Sequence, residues 1–517
     1  MTFEIVFVLL SLLGMVAALI ADKMRPGMIL FSVVVLFLCA GILTPKEMLE
    51  GFSNKGMITV ALLFLVSEGI RQSGTLGQVI KKLLPQGKTT VFKAQLRILP
   101  SVAFISAFLN NTPVVVIFAP IIKHWAKSVN LPATKFLIPL SYVTILGGIC
   151  TLIGTSTNLV VHGMILEAGF EGFSMFELGK VGVFIAIAGI IYIFLFSKRL
   201  LPDARPDTAV PDEEIEEGEK LHRVEAVLGA RFPGINKKLK DFNFQRHYGA
   251  EVKEIKTRNG QRFVTNLDDV VLHEGDTLVV MADDTFIPTW GESSVFVLLT
   301  NGNEPDTSGK KKRWFALLLL VLMIVGATVG ELPVTKEMFP DIKLDMFFFV
   351  SITTIIMAWT NLFPARKYTK YISWDILITI ACAFAISKAM VNSGVADSVA
   401  KFIIGLSDDY GPHVLLAMVF IITNLFTELI TNNAAAALAF PLALSISAQL
   451  GVSPTPFFVV ICMAASASFS TPIGYQTNLI VQGIGNYKFT DFVRIGLPLN
   501  IITFLISIFL IPLIWPF

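Results

Sequence analysis

The sequence predicts an α-helical polytopic membrane protein made of two inverted five-helix repeats, each with a re-entrant hairpin, and a small α+β insert between them. Three observations carry this prediction. Hydrophobic residues make up 54% of the 517 positions and charged residues only 15%, with a mean hydropathy of +0.70, far from the mix of an ordinary soluble domain. Apolar runs of spanning length recur near 3–21, 27–44, 56–72, 136–153, 176–197, 314–330, 345–363, 374–392, 455–470 and 491–515. Finally, the chain says one thing twice. Leu109-Asn110-Asn111-Thr112-Pro113 and Gly154-Thr155-Ser156-Thr157-Asn158 return as Ile430-Thr431-Asn432-Asn433-Ala434 and Gly474-Tyr475-Gln476-Thr477-Asn478. Phe64, Ser67, Ser73, Gly74, Pro120 and Gly163 keep step with Phe384, Ser387, Ser393, Gly394, Pro441 and Gly483.

The first repeat is expected over 1–200. Its opening run lacks a basic leader and a small-residue cleavage site, so it reads as a retained helix rather than a signal peptide. Segment 92–126 has apolar halves too short to span and a polar centre, which reads as a re-entrant hairpin. A linker is expected over 201–220, where Asp212-Glu213-Glu214-Ile215-Glu216-Glu217 breaks the composition. Residues 221–292 alternate strand-like runs at Val224 to Leu228, Ala250 to Ile255 and Thr277 to Met281 with a helical stretch near Ile235 to Lys240. A second linker is expected over 293–312, and the second repeat over 313–517 with its hairpin at 413–449.

Basic residues gather in alternate loops, among them Lys81, Lys82, Lys88, Lys123, Lys127, Lys198, Arg199, Lys310 to Arg313, Arg366 and Lys367. The positive-inside rule assigns those loops to the cytoplasm, which puts the insert inside and both termini outside a plasma or bacterial inner membrane. Counted from that orientation, the repeats run in opposite directions through the bilayer. This arrangement suits alternating access to a midplane site. A net charge of +2 gives no footprint for nucleic acid.

The tips carry the chemistry. Broken backbone at membrane depth survives only against protein or a water-filled cavity. Thr112 is the expected N-cap of a half-helix with Pro113 at its first position, and Asn433 plays that part before Ala434 to Ala437. Two inward-facing helix N-termini would bind an anion without a buried Lys or Arg. The second motif pair should unwind two further helices, offering carbonyl, hydroxyl and amide oxygens that suit Na⁺. Candidate anion contacts are Asn110, Asn111, Thr112, Ser156, Thr157, Asn158, Thr431, Asn432, Asn433, Gln476, Thr477 and Asn478.

Three ionisable residues fall within spans. Glu68 and Lys388 occupy equivalent positions with opposite signs and are expected to form a structural pair or to lie near an interface. Glu428, four residues before Asn432, is a candidate for binding a cation or proton. His162 is expected to be a satisfied interhelical histidine. Cys39, Cys150, Cys382 and Cys462 lie in apolar segments without metal or disulfide spacing and read as packing residues. The phosphate-binding Gly-rich loop and the Gly-x-Ser-x-Gly elbow are both missing, so neither ATP-driven transport nor an enzyme is expected.

With these paired motifs over about 400 residues, the sequence resembles the divalent anion:sodium symporter family, whose fold is of the ion-transporter-superfamily type. The resemblance implies that Asn111 and Asn432 contact both Na⁺ and substrate. By the same resemblance, Ser106 and Thr427 help hold two or more Na⁺ ions, loop carbonyls at Gly154 and Gly474 complete their sites, and Thr112 and Asn433 face the substrate. The tips depart from the family's Ser-Asn-Thr pattern at Asn110, Thr431 and Asn433, and Thr155-Ser156-Thr157 and Tyr475-Gln476-Thr477 replace its proline-rich loops. These added donors suit a small tetrahedral oxyanion.

The insert, with Gly249-Ala250-Glu251-Val252 and Gly275-Asp276-Thr277-Leu278-Val279-Val280, is similar to a TrkA-C (RCK-C) domain, which implies dimerisation and a small regulatory ligand. Together these resemblances imply Na⁺-coupled symport of sulfate by an elevator-like movement in a lipid-embedded homodimer joined through scaffold helices and the insert. The alternatives are a Na⁺-coupled C4-dicarboxylate transporter, a Na⁺/H⁺ antiporter or arsenite-type carrier, and a TrkA-C-gated channel.

Overall fold

A computed structural model describes residues 3–21, 24–203, 222–229, 231–257, 261–283, 286–290, 295–300, 310–339, 341–405 and 411–517. Most of both expected linkers, including Asp212 to Glu217, lies outside the described residues. The first half contains α1 (Phe3–Ala21), α2 (Pro26–Cys39), α3 (Lys55–Gln72), α4 (Val91–Ser106), α5 (Asn111–Ser128), α6 (Leu137–Gly148), α7 (Ser156–Glu167) and α8 (Gly179–Leu200). The second half runs in the same order: α9 (Lys310–Gly330), α10 (Met346–Trp359), α11 (Trp374–Asn392), α12 (Gly411–Leu429), α13 (Asn432–Leu450), α14 (Thr455–Ser466), α15 (Gln476–Gly485) and α16 (Phe489–Ile514). Each of the ten apolar runs has become a helix.

Among the described residues, eight stretches are long and apolar enough to cross a bilayer. Two of them, Gly411–Leu429 and Asn432–Leu450, are halves of the second hairpin and number 19 residues each, so they are not the short halves expected. The reason is local. Only Ile430 and Thr431 separate them, and the polar Thr427, Asn432 and Asn433 are absorbed into helical turns. Both N-caps also fall earlier than expected, at Asn110 and Thr431, because these two residues are extended while Asn111 and Asn432 are already helical. Pro113 sits in the first turn, where a missing N–H removes no helical bond.

Burial sorts the helices. Every residue of α6, and every residue of α14 after Thr455, is buried, as their all-round apolar sequences require. In contrast α1, α8 and α16 expose Leu10, Leu13, Ile187, Leu195, Leu505 and Phe509, a surface that a bilayer covers. The hairpins lean on this core through α4 against α6 and α12 against α14. Across the repeats, α5 packs on α15, α7 on α13 and α8 on α16.

Between the halves lies an antiparallel sheet of order β3-β2-β4-β1-β5, with β1 (His222–Leu228), β2 (Glu251–Lys256), β3 (Arg262–Phe263), β4 (Thr277–Ala282) and β5 (Phe296–Thr300). β5 stands where the second linker was expected, pairing with β1. The helical stretch expected near Ile235 to Lys240 does not form, since Asn236 takes a left-handed φ of 61°. Instead a short helix covers Phe244–Tyr248. Its rings join Phe232, Phe242 and Phe296 in the insert's own core.

The sheet rests on the membrane helices. Lys123 of α5 donates to both oxygens of Glu225 in β1, at 2.9 and 3.0 Å, and Lys256 approaches Glu225 to 3.4 Å from within the insert. Gly275 and Thr277 lie against Leu479 and Gly483 of α15; a β-carbon at Gly483 would stand 2.4 Å from the Thr277 hydroxyl. Elsewhere Lys135 is buried and donates to the carbonyls of Lys198 and Leu201, satisfying the C-terminal end of α8.

Glu68 and Lys388 do not pair with each other. Glu68 accepts a two-pronged bond from Arg71 at 2.7 and 2.8 Å and a third from Gln72, while Lys388 is exposed near the end of α11. His162 also departs from expectation, because its Nδ1 is buried without a partner and its ring lies against Gly172. Cys382 and Cys462 are buried as packing residues; Cys39 is exposed.

Candidate functional site

Both hairpin tips are built by the same bonds. In the first half the Ser106 hydroxyl donates to Asn111 Oδ1 at 2.8 Å, and in the second Thr427 donates to Asn432 Oδ1 at 3.0 Å. Thr151 donates to the Ala107 carbonyl, and Thr471 to the Glu428 carbonyl at 3.1 Å. The Gly154 N–H reaches the Thr151 hydroxyl at 3.2 Å, and the Gly474 N–H the Thr471 hydroxyl at 3.3 Å. Asn158 then donates to the Thr151 carbonyl at 2.9 Å and Asn478 to the Thr471 carbonyl at 3.1 Å. The duplicated letters of the sequence are thus two copies of one hydrogen-bonded knot, each formed by an unwound loop wrapped on a hairpin tip.

Glycine is needed where the loops close on the tips. A β-carbon on Gly154 would lie 2.5 Å from the Gly148 carbonyl and 3.0 Å from that of Ala107. On Gly474 it would lie 2.0 Å from the Ser468 hydroxyl and 2.4 Å from the Thr427 carbonyl. Each knot consequently concentrates oxygen atoms. Around Ser106 and Asn111 stand the carbonyls of Ala107 and Gly148; around Thr427 and Asn432 stand the carbonyls of Thr427 and Ala465 and the Ser468 hydroxyl. Neutral oxygens gathered in this way are the donor set of a hard monovalent cation.

The two knots also meet across the repeats. Thr112 Oγ1 lies 3.3 Å from Gln476 Oε1, while Asn433 Oδ1 accepts from Ser156 and Thr157 at 3.2 and 3.3 Å. Asn111 Nδ2 donates to the Tyr475 hydroxyl at 2.5 Å, and Thr155 Oγ1 lies 3.1 Å from that hydroxyl. Tyr475, which the sequence offers only as one of several added donors in its loop, joins the two tips through these bonds. Its signal was its register with Thr155, which placed both at the same point of the repeated loop.

Four helices therefore begin at one place: α5, α7, α13 and α15. In none of the four does the N-cap side chain bond the first turn. The hairpin tips account for two such termini, as the sequence predicts; the re-formed halves of the unwound helices supply two more. Their first-turn N–H groups and positive dipole ends face one region that holds no ion pair among the described residues.

The predicted residues divide within this region. Asn110, Thr112, Ser156, Thr431 and Gln476 keep some exposure at the meeting point, and Thr157, Asn432 and Asn433 are buried beside it. Asn158 and Asn478 are committed inside their own knots, and Ser141 engages Thr477 and Asn478 at 2.8 and 2.7 Å. A narrow crevice with room for about one water lies beside Asn110, Ser156 and Ser67, walled otherwise by apolar residues such as Val60, Leu63, Leu320 and Met323.

A polytopic helical chain with two polar knots at broken helices belongs to the class of secondary transporters built from repeats. The family model described as citrate transporter matches residues 16–451 and 342–516, and the chain belongs to that family. It is 30% identical to an uncharacterized transporter of Synechocystis over 93% of this chain and 92% of the relative. It is 26% identical to the uncharacterized transporter YfbS of Escherichia coli, covering 99% of this chain and all of the relative. Similarity to sodium/sulfate cotransporter 1 of Chlamydomonas reinhardtii is 22% over 95% of this chain and 88% of the relative. The chain is an integral membrane transporter and not an enzyme.

Proposed function

We propose that this transporter carries a small divalent oxyanion, sulfate, in symport with Na⁺. The observation that carries the proposal is the meeting of four helix N-termini whose caps leave their first-turn N–H groups unspent. A tetrahedral anion would take those N–H groups with donors from Asn110, Thr112, Ser156 and Gln476. The knots at Ser106/Asn111 and Thr427/Asn432 would each take one Na⁺, with Gly154 and Gly474 admitting the loop backbone. Because Asn111 and Asn432 lie between cation and anion, Na⁺ binding fixes the first turns of α5 and α13 and raises anion affinity; the linkage is reciprocal. The similarity to a sodium/sulfate cotransporter supports the choice of ions.

Both termini outside, the insert in the cytoplasm of a plasma membrane, an elevator-like carriage of the hairpins and a homodimer with a TrkA-C-like regulatory insert complete the reading. A second reading keeps the mechanism and changes the anion to a di- or tricarboxylate. It is favoured by the family's description.

Uptake of labelled sulfate, succinate and citrate into proteoliposomes with and without an inward Na⁺ gradient decides between them. Sulfate uptake that needs Na⁺ and vanishes in Asn111→Ala and Asn432→Ala is the expected result. Carboxylate uptake in its place moves the proposal to the second reading, and uptake unaffected by replacing Na⁺ with choline overturns the coupling.

A further inference from the structure

The two halves match at the knots but differ at one point beside them. In the second half, Glu428 stands in the last turn of α12 and its Oε1 accepts from the Ser470 N–H at 2.9 Å and from Asn500 Nδ2 at 2.7 Å. Asn500 of α16 also donates to the Ser470 hydroxyl at 2.9 Å. The matching threonine bonds to the Ala107 and Glu428 carbonyls make Ala107 the counterpart of Glu428, and Cys150 that of Ser470. Gly182 crowds the Ile149 carbonyl as Gly496 crowds that of Phe469, which makes Ala186 the counterpart of Asn500. All three polar residues of the second half are thus replaced together, by Ala107, Cys150 and Ala186.

This cluster is short of positive charge. Glu428 Oε2 and Asn500 Oδ1 are both buried with no hydrogen-bond donor, and Asn500 is only 6% exposed. Glu428 takes part in none of the ion pairs among the described residues. The C-terminal end of α12 adds its negative dipole end to the carboxylate. A carboxylate with one oxygen buried and unpaired is costly unless a cation reaches it.

We infer that Glu428, Ser470 and Asn500 form a further Na⁺ site, found only in the second half, in addition to the two knots. The carboxylate, the orphaned amide oxygen and the Ser470 hydroxyl are all hard oxygen donors, and a single charge on the ion balances the single charge on Glu428. The inference deepens the symport reading and rests on it in one consequence: a third Na⁺ carried with a divalent anion moves one net positive charge per cycle.

The test measures the Na⁺:anion ratio of the full-length protein in proteoliposomes from the membrane potential at which labelled sulfate flux reverses. In parallel, NaCl is titrated against choline chloride in thermal unfolding of the purified protein without anion. Glu428→Gln keeps the shape of the side chain, and Asn500→Ala removes the second donor. Both are expected to lower the ratio by about one Na⁺ and to weaken the NaCl stabilisation, leaving sulfate uptake in place but insensitive to voltage. An unchanged ratio with an unchanged NaCl titration overturns the site. If the wild-type protein shows no Na⁺-dependent uptake, the symport reading has failed, and the NaCl titration alone then decides: identical curves for wild type and Glu428→Gln overturn the site.

Discussion

Tyr475 ties the two halves together at their tips. Its hydroxyl accepts from Asn111, in the tip of the opposite repeat, and lies 3.1 Å from Thr155 in the equivalent loop. Replacing it with Phe leaves a fully buried Asn111 amide with one partner fewer. Such an orphaned donor costs about 1–3 kcal/mol, or roughly tenfold or more in an equilibrium constant. We expect Tyr475→Phe to raise the Na⁺ concentration for half-maximal uptake by about tenfold while leaving the protein folded; a Na⁺ titration of uptake measures it. The candidate residues Asn111 and Asn432 were legible because they recur at one spacing, and Ser106 and Thr427 through the family resemblance. Tyr475 was not, because its counterpart Thr155 differs from it in size and chemistry, so the repeat gave only its position. Asn158 and Asn478 show the opposite limit: repetition marked them, and they serve the knots by bonding loop carbonyls.

At the level of elements, hydrophobic length found the ten helices of the apolar runs, since burying an apolar run in lipid or in a core fixes its existence, but not the full 19-residue halves of the second hairpin. It could not fix where the tips begin. Helix start depends on which residue first adopts helical φ and ψ, and Asn110 and Thr431 remain extended although Thr112 and Asn433 are equally good capping types. The insert's β5 was hidden for a related reason: Phe296–Thr300 is too short to show a period, and its pairing with β1 is a tertiary fact. The unwound loops were legible from their glycines, and these support a prediction at the same scale. Gly474→Ala places a methyl group 2.0 Å from the Ser468 hydroxyl and 2.4 Å from the Thr427 carbonyl. Overpacking of this kind costs about 1–3 kcal/mol. Thermal unfolding of Gly474→Ala should show that loss together with a weakened response to NaCl, whereas Gly14→Ala, which meets nothing within 4 Å, should match the wild type.

For the whole molecule, the informative contact is the one between sheet and membrane helices. Burial works against the charge of Glu225, but Lys123 and Lys256 outweigh it and hold its pKa down at about 2, below the ordinary 4.5. A depressed carboxylate contributes its full share above the ordinary value and loses it as the pH falls toward the folded one. Docking of the sheet should therefore be constant from pH 8 to about 5 and weaken only in stronger acid. Lys123→Glu should release it at neutral pH, seen as faster amide exchange in β1 and at 479–483. The sheet touches α5 from one half and α15 from the other, and the opposite ends of those two helices carry Asn111 and Gln476. The sheet is thus a handle on the proposed anion site: a hand laid on it holds both halves at once, with no need for anything to enter the bilayer.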